Sequence, residues 1–269
     1  MPRNDLTGKV VLVVGASSGM GRRFAELAAA AGATVAVTAR RAELLDQIVA
    51  TQHAQGYRCS AHPADATDAA AARYVVEQVV ELHGRIDSVL LNAGGAPALD
   101  LNTLTAEAIT GYMRTNYDVA VNYLVPVLAH MREHGTGTVA HTNSLAGWYG
   151  IPLQGPYSAA KAAVRVLLDT YRIEYAASGI RFVSIYPGFV RTEATLGDGM
   201  PAPGEIDEDT AARHMIRAVT HAGESYSFPW HTAALVGVGR VVPTRARRTI
   251  LGWALRSQRH SDQTEGQTQ

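Results

Sequence analysis

The stretch Lys9-Val-Val-Leu-Val-Val14-Gly15-Ala-Ser-Ser-Gly19-Met-Gly21 decides the fold of this chain. It begins with a short apolar run rich in valine, which is typical of a buried parallel strand. Glycine permits positive φ and lets the backbone approach a ligand closely. Helix formers follow from Gly21 to Ala31 without proline. The stretch therefore predicts a strand, a glycine-rich turn and a helix whose free N–H groups suit a pyrophosphate. The glycine pattern alone is also compatible with an ordinary tight turn.

The alternation of strand and helix continues along the chain. The later predicted strands are Thr34–Thr38, Arg58–His62, Asp87–Leu91, Gly137–Thr142 and Ile180–Tyr186. The later predicted helices are Arg41–Gln55, Asp68–His83, Thr105–His134 and Pro156–Ser178. This order predicts one α/β domain over residues 1–260, a doubly wound parallel sheet of the Rossmann type with helices on both faces. Residues 261–269 are polar, and we expect them to be a disordered tail.

Composition limits the partners of the protein. Its 269 residues hold 24 Lys plus Arg and 24 Asp plus Glu, so no overall field favours nucleic acid. No apolar run reaches the roughly 18 residues of a membrane span, and Met1–Leu6 lacks an apolar signal core. Cys59 is the single cysteine, which excludes an internal disulfide and fits a cytoplasmic protein. The 10 histidines have no compact ligand spacing, so we expect no metal.

The end of the second strand predicts which dinucleotide binds. A carboxylate at this point would bind the ribose hydroxyls of NAD. The sequence instead reads Thr38-Ala39-Arg40-Arg41. Arginine would pair with the 2′-phosphate of NADP through charge-assisted hydrogen bonds. We therefore expect NADP in preference to NAD. The alternative is that Arg40 and Arg41 are solvated residues at the start of a helix and bind no phosphate.

Tyr157 and Lys161 are the candidate proton-transfer pair. They are four residues apart in a predicted helix, so their side chains share one face. A nearby ammonium favours the phenolate and lowers the pKa of the tyrosine. Such a phenol can exchange a proton with an alcohol or a carbonyl. A tyrosine and a lysine at this spacing are common by chance, so the pair needs support from other residues.

Together these features resemble the classical short-chain dehydrogenase/reductase family, from about Gly8 to Thr192. The motifs that carry the resemblance, in the family's order, are Gly15-x-x-x-Gly19-x-Gly21, Asp65, Asn92-Ala93-Gly94, Asn116, Ser144, Tyr157-Ser-Ala-Ala-Lys161 and Pro187-Gly188. One departure is Val14, where the family usually has threonine. The resemblance also implies a small C-terminal substrate lid at about 193–229, where a Gly- and Pro-rich loop precedes a predicted helix at Glu205–Ala222.

The resemblance implies catalytic roles. Tyr157 would act as general acid or base, and Lys161 would bind the nicotinamide ribose and lower the tyrosine pKa. Ser144 would hydrogen-bond the substrate oxygen. Asn116 would hold a water that connects Lys161 to solvent. Asn116 could instead satisfy backbone groups in its helix, and Ser144 could cap a turn.

The resemblance also implies a cofactor site, with Asp65 at the adenine, Asn92 at the adenosine side, and Val190 and Thr192 at the carboxamide. Asp65 could instead be a turn residue. The full set of expected cofactor residues is Gly15, Ser17, Ser18, Gly19, Met20, Gly21, Arg40, Arg41, Asp65, Ala66, Asn92, Ala93, Gly94, Tyr157, Lys161, Pro187, Gly188, Val190 and Thr192.

The expected substrate pocket is mainly apolar or aromatic. Its candidate residues are Ser144, Trp148, Tyr149, Gln154, Tyr157, Phe189 and Leu196. They predict a largely apolar ketone or secondary alcohol. Trp148 and Tyr149 could equally pack against the core or a neighbouring subunit.

The predicted function is hydride transfer between NADP(H) and a carbonyl or secondary alcohol. The alternatives are NAD-linked alcohol oxidation, a non-catalytic dinucleotide-binding sensor or regulator, and an epimerase or dehydratase acting on a nucleotide sugar. A sensor would not need a proton relay. The sugar enzymes usually have a longer segment after the position of Pro187-Gly188 than this chain has.

Two regions predict association. The resemblance implies a homodimer or homotetramer formed through Thr105–His134 and Pro156–Ser178. The segment Arg240–Arg259 has several arginines, apolar residues and no carboxylate. We expect an ordinary C-terminal helix there, with peripheral contact to an anionic membrane as the alternative.

Overall fold

A computed structural model describes residues 6–96, 104–193, 195, 202, 204–221, 223–243, 245–246 and 248–249. Its strands are β1 Val10–Val14, β2 Thr34–Thr38, β3 Cys59–Ala61, β4 Ser88–Leu91, β5 Gly137–Thr142, β6 Ile180–Pro187, β7 Val190–Arg191, β8 Ile206–Asp207 and β9 Ser225–Phe228. Its α-helices are α1 Gly19–Ala30, α2 Ala42–Ala54, α3 Ala69–His83, α4 Ala106–Met113, α5 Val119–His134, α6 Gly155–Glu174, α7 Glu208–His221 and α8 Trp230–Val241.

Seven strands form one parallel sheet in the order β3-β2-β1-β4-β5-β6-β9. The chain runs outward from β1 to β3 and then returns to start again at β4. The carboxyl ends of β1 and β4 therefore form the switch point at which doubly wound sheets bind their ligands. The predicted Rossmann-type architecture is confirmed, and β9 adds an edge strand that the sequence pattern did not reveal.

Burial on both faces explains the sequence of β1. Val11 and Val13 face a core cluster with residues of α1, α2 and α7, whereas Leu12 and Val14 face a second cluster with α3, α5 and α6. All five residues of the strand are buried. A strand covered on both faces has no polar alternation, so its continuous apolar run predicts the central position that it takes.

The predicted helix over Thr105–His134 is interrupted in the structure. A π-helical turn at Arg114–Asp118 joins α4 to α5. Pro126, which the sequence marks as a breaker, lies inside α5. The π turn carries Asn116, which is fully buried. π-helical turns are rare and often occur at functional sites.

The C-terminal region belongs largely to the main layers of the fold. The helix expected at Glu205–Ala222 is present as α7, whose buried Ala211, Ala212 and Met215 join the core cluster beside α1. Strand β9 pairs with β6 in the main sheet. Because α7 and β9 belong to the core and the main sheet, the predicted lid is now limited to the part of 193–229 that precedes α7. For that part the lid stays a prediction. Much of that part, and the whole expected tail 261–269, lies outside the described residues.

Candidate active site

The turn after β1 is built for close backbone contact. Gly15 and Gly19 have φ of 84° and 60°, in the left-handed region that favours glycine. A Cβ at Gly15 would lie 2.7 Å from the backbone of Ala93, which follows β4. A Cβ at Gly21 would overlap the carbonyl oxygen of Gly15. These glycines let the ends of β1 and β4 and the start of α1 meet at the switch point.

A cavity of about 510 Å³ opens at this point. The expected cofactor residues that line it are Gly15, Ser17, Ser18, Gly19, Met20, Arg40, Arg41, Asp65, Ala66, Asn92, Ala93, Gly94 and Thr192. Other lining residues that sequence reasoning missed are Val14, Thr38, Ala39, Ala64, Thr67, Gly95, Thr115, Val119 and Tyr123. Val119 and Tyr123 come from α5, and nothing in their local sequence distinguishes them from ordinary core residues.

The polar groups of this cavity fit a dinucleotide. Ser18 is the N-cap of α1, and its side chain makes no capping hydrogen bond. The first turn of α1 has no acidic residue, so the positive end of the helix dipole is available to an anion. The Asn92 side chain donates to the Gly15 carbonyl at 3.2 Å. Its buried Oδ1 has no hydrogen-bond partner among the residues that the structure describes, which suits a donor from a bound ligand.

The two arginines after β2 occupy different places at the cavity rim. The Arg41 guanidinium donates to Ser17 Oγ at 2.9 Å and to Ser18 Oγ at 2.7 Å. Arg41 thereby brings a positive charge onto the turn that precedes α1. Arg40 is exposed. The hydrogen bonds from Thr67 are the main cause that lowers the pKa of Asp65, and the Arg40 charge adds to them.

Asp65 has a structural role in addition to lining the cavity. Its carboxylate accepts hydrogen bonds from the Thr67 backbone N–H and hydroxyl, both at 2.9 Å. These bonds, the backbone one first, lower the pKa of Asp65. The next residue is also held, because Asn122 on α5 donates to the Ala66 carbonyl at 2.9 Å. The loop after β3 is therefore fixed along the cavity wall.

Helix α6 brings Tyr157 and Lys161 together at the end of β5. The Lys161 ammonium is buried, donates to the Thr142 carbonyl at 2.8 Å and lies 5.6 Å from the centre of the Tyr157 ring. Burial lowers the pKa of Lys161 to about 8. An ammonium held in this way keeps its charge near the phenol instead of in solvent.

Burial also dominates the titration of Tyr157. Desolvation raises the pKa of the phenol, and its hydrogen bond with Ser144 acts in the opposite direction. The sequence led us to expect that Lys161 sets the tyrosine pKa. In this structure burial is the largest cause, and Ser144, the N-cap of a short 3₁₀ helix at Leu145–Gly147, is the group that opposes it.

Asn143 is a site residue that sequence reasoning missed. Its side-chain N–H donates to the Lys161 carbonyl at 3.0 Å, and its Oδ1 accepts from the Ser144 backbone N–H at 2.8 Å. Asn143 thus ties the strand end that carries Ser144 to the helix that carries Lys161. A Cβ at Gly147 would lie 2.7 Å from Asn143 Oδ1. The only sequence signal was its position between a predicted strand and Ser144.

Asn116 interacts with the backbone after β4. Its side chain accepts from the Gly95 N–H at 3.1 Å and donates to the Gly95 carbonyl at 3.0 Å and to the Tyr112 carbonyl at 3.3 Å. A Cβ at Gly94 would lie 2.6 Å from Asn116 Oδ1. The Asn116 amide therefore shapes the cavity wall at Gly94 and Gly95. Its bond to the Tyr112 carbonyl is of the kind that the sequence left open, with a backbone group of its own helix.

The two aromatic residues expected in the substrate pocket pack on the C-terminal helix instead of standing free. The guanidinium groups of Arg165 and Arg240 both lie over the Trp148 ring, at 4.5 and 3.8 Å from its centre. Trp148 also packs on Tyr186, with ring centres 5.2 Å apart. A Cβ at Gly239 would lie 2.8 Å from the hydroxyl of Tyr149. This is the core-packing alternative that the sequence left open.

The segment after β6 approaches both the cavity and α8. The Gly188 N–H donates to the Phe228 carbonyl at 2.7 Å, and Val190 is buried in the core cluster that includes α7. Thr192 lines the cavity, and Phe189 is exposed. Among the other candidates, Gln154 is buried as the N-cap of α6, Pro187 ends β6, and Leu196 lies outside the described residues.

The described parts of the chain lack two further features. Within them, no three His, Cys, Asp or Glu side chains are grouped so that they could hold a metal ion. None of the helices described combines the length and apolarity that crossing a bilayer requires.

Comparison with known proteins places these features in a family. A model of the short chain dehydrogenase family matches residues 9–198. An uncharacterized oxidoreductase of Myxococcus xanthus is 30% identical over 239 residues, which cover 89% of this chain and 94% of that protein. An A-factor type γ-butyrolactone 1′-reductase of Streptomyces virginiae is 37% identical over 190 residues, covering 70% of this chain and 74% of the reductase.

A solved structure supports the same assignment. An alcohol dehydrogenase from the archaeon Thermococcus sibiricus, complexed with 5-hydroxy-NADP, superposes with a TM-score of 0.73. The two chains are 27% identical, and the match covers 82% of this chain and 95% of the archaeal one.

Proposed function

Because the chain belongs to the short-chain dehydrogenase family, we propose that it transfers hydride between NADP(H) and a carbonyl or secondary alcohol, with Tyr157 as general acid and base. The observation that carries this proposal is the buried Lys161 ammonium, held by the Thr142 carbonyl beside the Tyr157 ring. Burying a charged group costs free energy even when hydrogen bonds offset part of the cost, so a buried ammonium at this position suggests a function. A dinucleotide-binding sensor would need no such group.

The residues of this site would divide the chemistry as follows. Bound nicotinamide supplies or accepts the hydride. Tyr157 gives a proton to the carbonyl oxygen during reduction and takes it back during oxidation. Ser144, already hydrogen-bonded to Tyr157, stabilises negative charge that develops on the same oxygen. The Lys161 charge stabilises the phenolate that remains, and the Asn143 bonds hold Ser144 and Lys161 in register.

The arginines at the rim support NADP as the preferred cofactor. Arg40 and Arg41 both line the cavity at the end of β2, where a 2′-phosphate would meet the ribose end of the site. Arg41 is oriented toward the glycine turn by Ser17 and Ser18. The Thermococcus structure was obtained with 5-hydroxy-NADP. NAD-linked oxidation is the competing proposal.

The substrate proposed is a largely apolar ketone or secondary alcohol. The exposed Phe189 next to Gly188 supports an apolar wall, although Trp148 and Tyr149 are committed to packing on α8 and contribute less than their sequence positions suggest. The Streptomyces relative is a reductase, which favours screening carbonyl reduction first.

A titration of the purified protein with NADPH and, in parallel, NADH tests this proposal through the cofactor's fluorescence. We expect tighter NADPH binding and consumption of NADPH when apolar ketones are added. Tighter NADH binding would move the search to alcohol oxidation. Binding of neither dinucleotide would contradict the proposed function itself.

We also propose that the protein is a homo-oligomer associated through α5 and α6. Support comes from apolar side chains that these helices leave exposed, namely Val125, Val166 and Ile173. Both helices pack on the same core cluster, and exposed apolar residues on one side of the sheet suit an interface between copies of one chain. Light scattering would give the mass of the particle, and a monomer at micromolar concentration would contradict this proposal.

A further inference from the structure

The outer face of α8 is unusually apolar for the exposed face of a surface helix. The exposed fractions are 80% for Trp230, 67% for Leu235, 59% for Val238 and 81% for Val241. A soluble helix normally turns polar residues outward. An exposed apolar patch of this kind marks a surface that contacts another partner.

The helix period separates this apolar face from the face that packs on the protein. Thr232 and Val236 are the buried residues of α8, and they lie one turn apart. Trp230, Val238 and Val241 follow a different stripe, at intervals of eight and three residues. α8 therefore packs on the protein through Thr232 and Val236, whereas its apolar outer face is left exposed among the residues that the structure describes.

Charge decides which partner suits the outer face. Between Glu224 and Asp262 the sequence has six arginines and no carboxylate: Arg240, Arg245, Arg247, Arg248, Arg256 and Arg259. Arg245 and Arg248 belong to the described residues and are exposed. The whole chain has equal numbers of basic and acidic residues, so this positive charge is local. The basic stretch also continues past the last described residue with Ile250, Leu251 and Trp253 in the sequence.

We propose that the outer face of α8, together with the exposed Arg245 and Arg248 that follow it, docks the protein on a membrane surface that contains anionic lipids. Exposed apolar side chains, tryptophan among them, enter the boundary between headgroups and acyl chains, and adjacent arginines bind the lipid phosphates. Duplex nucleic acid would use the arginines but leave the apolar face exposed. A protein partner has no particular need for a carboxylate-free stretch of 37 residues between Glu224 and Asp262.

Docking would place the catalytic domain in a defined orientation. Arg240 stacks on Trp148, and Gly239 lies against Tyr149. These contacts connect α8 rigidly to the loop that follows Ser144. The carboxyl end of the sheet would then lie near the lipid surface, where an apolar substrate concentrates.

Vesicle co-sedimentation of the full-length protein tests the proposal. The probes are vesicles of phosphatidylcholine alone and of phosphatidylcholine mixed with phosphatidylglycerol. We expect strong association with the anionic vesicles and weak association with the neutral ones. Because each arginine near an anionic surface contributes about 1 kcal/mol, the double change Arg245→Gln and Arg248→Gln should lower the partition coefficient about thirtyfold. The double change Leu235→Ser and Val238→Ser should lower it roughly tenfold or more.

The matched control is Leu82→Ser on α3, which replaces an equally exposed leucine (61%) far along the sequence from α8. It should bind vesicles like the wild type, and all three variants should keep wild-type melting temperature and NADPH binding. Equal binding to neutral and anionic vesicles, or anionic binding that neither double variant reduces, would overturn the proposal. The proposal would also fail if the wild type did not bind vesicles and the Leu235→Ser and Val238→Ser variant formed a smaller oligomer than the wild type. A second copy of the chain would then cover this face. Binding to duplex DNA without binding to vesicles would overturn the proposal as well.

Discussion

The side-chain amide of Asn143 donates a 3.0 Å hydrogen bond to the backbone carbonyl of Lys161. The same side chain accepts from the Ser144 N–H. One residue at the end of β5 therefore sets the distance between the group expected to hold the substrate oxygen and the helix turn that carries the buried ammonium. Both hydrogen bonds of the Asn143 side chain go to the backbone of neighbouring site residues, so we regard it as a positioning residue.

Replacing Asn143 by alanine should impair turnover more than binding. The change removes the hydrogen bonds of Asn143 with the Lys161 carbonyl and the Ser144 N–H, which costs roughly 1–3 kcal/mol of unfolding free energy. We expect kcat to fall about tenfold or more, because the positions of Ser144 and Lys161 relax. Denaturant unfolding and steady-state kinetics would measure both effects. An unchanged kcat in a destabilised variant would leave Asn143 with a structural role only, and a changed pH dependence of kcat would support positioning.

Gly147→Ala should reproduce the same defect by a different route. Its Cβ would lie 2.7 Å from Asn143 Oδ1, so Asn143 must move or the 3₁₀ turn must shift. We expect reduced kcat with nearly normal NADPH binding. Gly150→Ala is the control, since a Cβ there meets nothing within 4 Å. Similar kinetics for the two variants would show that space beside Asn143 is not required.

Tyr157→Phe should remove the proton donor while keeping the ring beside Lys161. General acid catalysis contributes roughly a hundredfold to ten-thousandfold in rate, and we expect kcat to drop within that range while the NADPH dissociation constant changes little. Tyr171→Phe, on the same helix within an aromatic cluster with Tyr175 and Phe182, serves as the control. Near wild-type turnover in Tyr157→Phe would contradict the proposed mechanism.

Arg41→Ala should weaken NADPH binding far more than NADH binding. A hydrogen bond to a charged group contributes roughly 1.5–3 kcal/mol, so a loss of about tenfold to a hundredfold in NADPH affinity is expected. Arg40→Ala should act in the same direction. Arg58→Ala, an exposed arginine outside the cavity lining, should affect neither dinucleotide. Equal weakening of NADPH and NADH would show that these arginines do not recognise the 2′-phosphate.

His141 should make the protein less stable in mild acid. It is buried on β5, and among the described residues neither ring nitrogen has a hydrogen-bond partner. Burial, followed by the Lys161 charge, lowers its pKa well below 6.5. As pH falls below about 6.5, the histidine is therefore protonated in the unfolded chain while it stays neutral in the folded protein. The stability contributed by the neutral ring is fully present above that pH and declines as pH falls toward the folded pKa.

The size of this effect can be isolated by His141→Leu. In the window below pH 6.5, the wild type should lose about 1.4 kcal/mol of unfolding free energy per pH unit more than the variant. Other histidines with lowered pKa, such as His62 and His130, contribute to both proteins and cancel in the difference. Parallel pH profiles for wild type and variant would mean that His141 does not control acid stability.

The sequence by itself determined the architecture and predicted the candidate site residues. Apolar runs such as Val10–Val14 are local patterns that require burial on both faces. Their alternation with helices predicted a doubly wound parallel sheet, which is confirmed, whereas the order of the strands was learned from the structure. The glycine-rich turn after β1 could also be predicted, because glycine readily adopts the positive φ and allows the close approach found at Gly15. The sequence also predicted that Tyr157 and Lys161 lie on one face of a helix, because residues four apart are about one turn apart.

Only the tertiary structure decided how these residues meet their neighbours. The pairing of Asn143 with Lys161, the stacking of Arg240 on Trp148, and the entry of Tyr123 into the cavity wall join segments far apart in sequence. The π turn that carries Asn116 and the placement of α7 in the core likewise had no local signal. Periodicity reports which face of an element is buried, whereas the partner on that face is chosen by packing between elements. For this reason the sequence predicted Tyr157 and Lys161 as the candidate proton-transfer pair but did not predict the contact of Asn143 with Lys161.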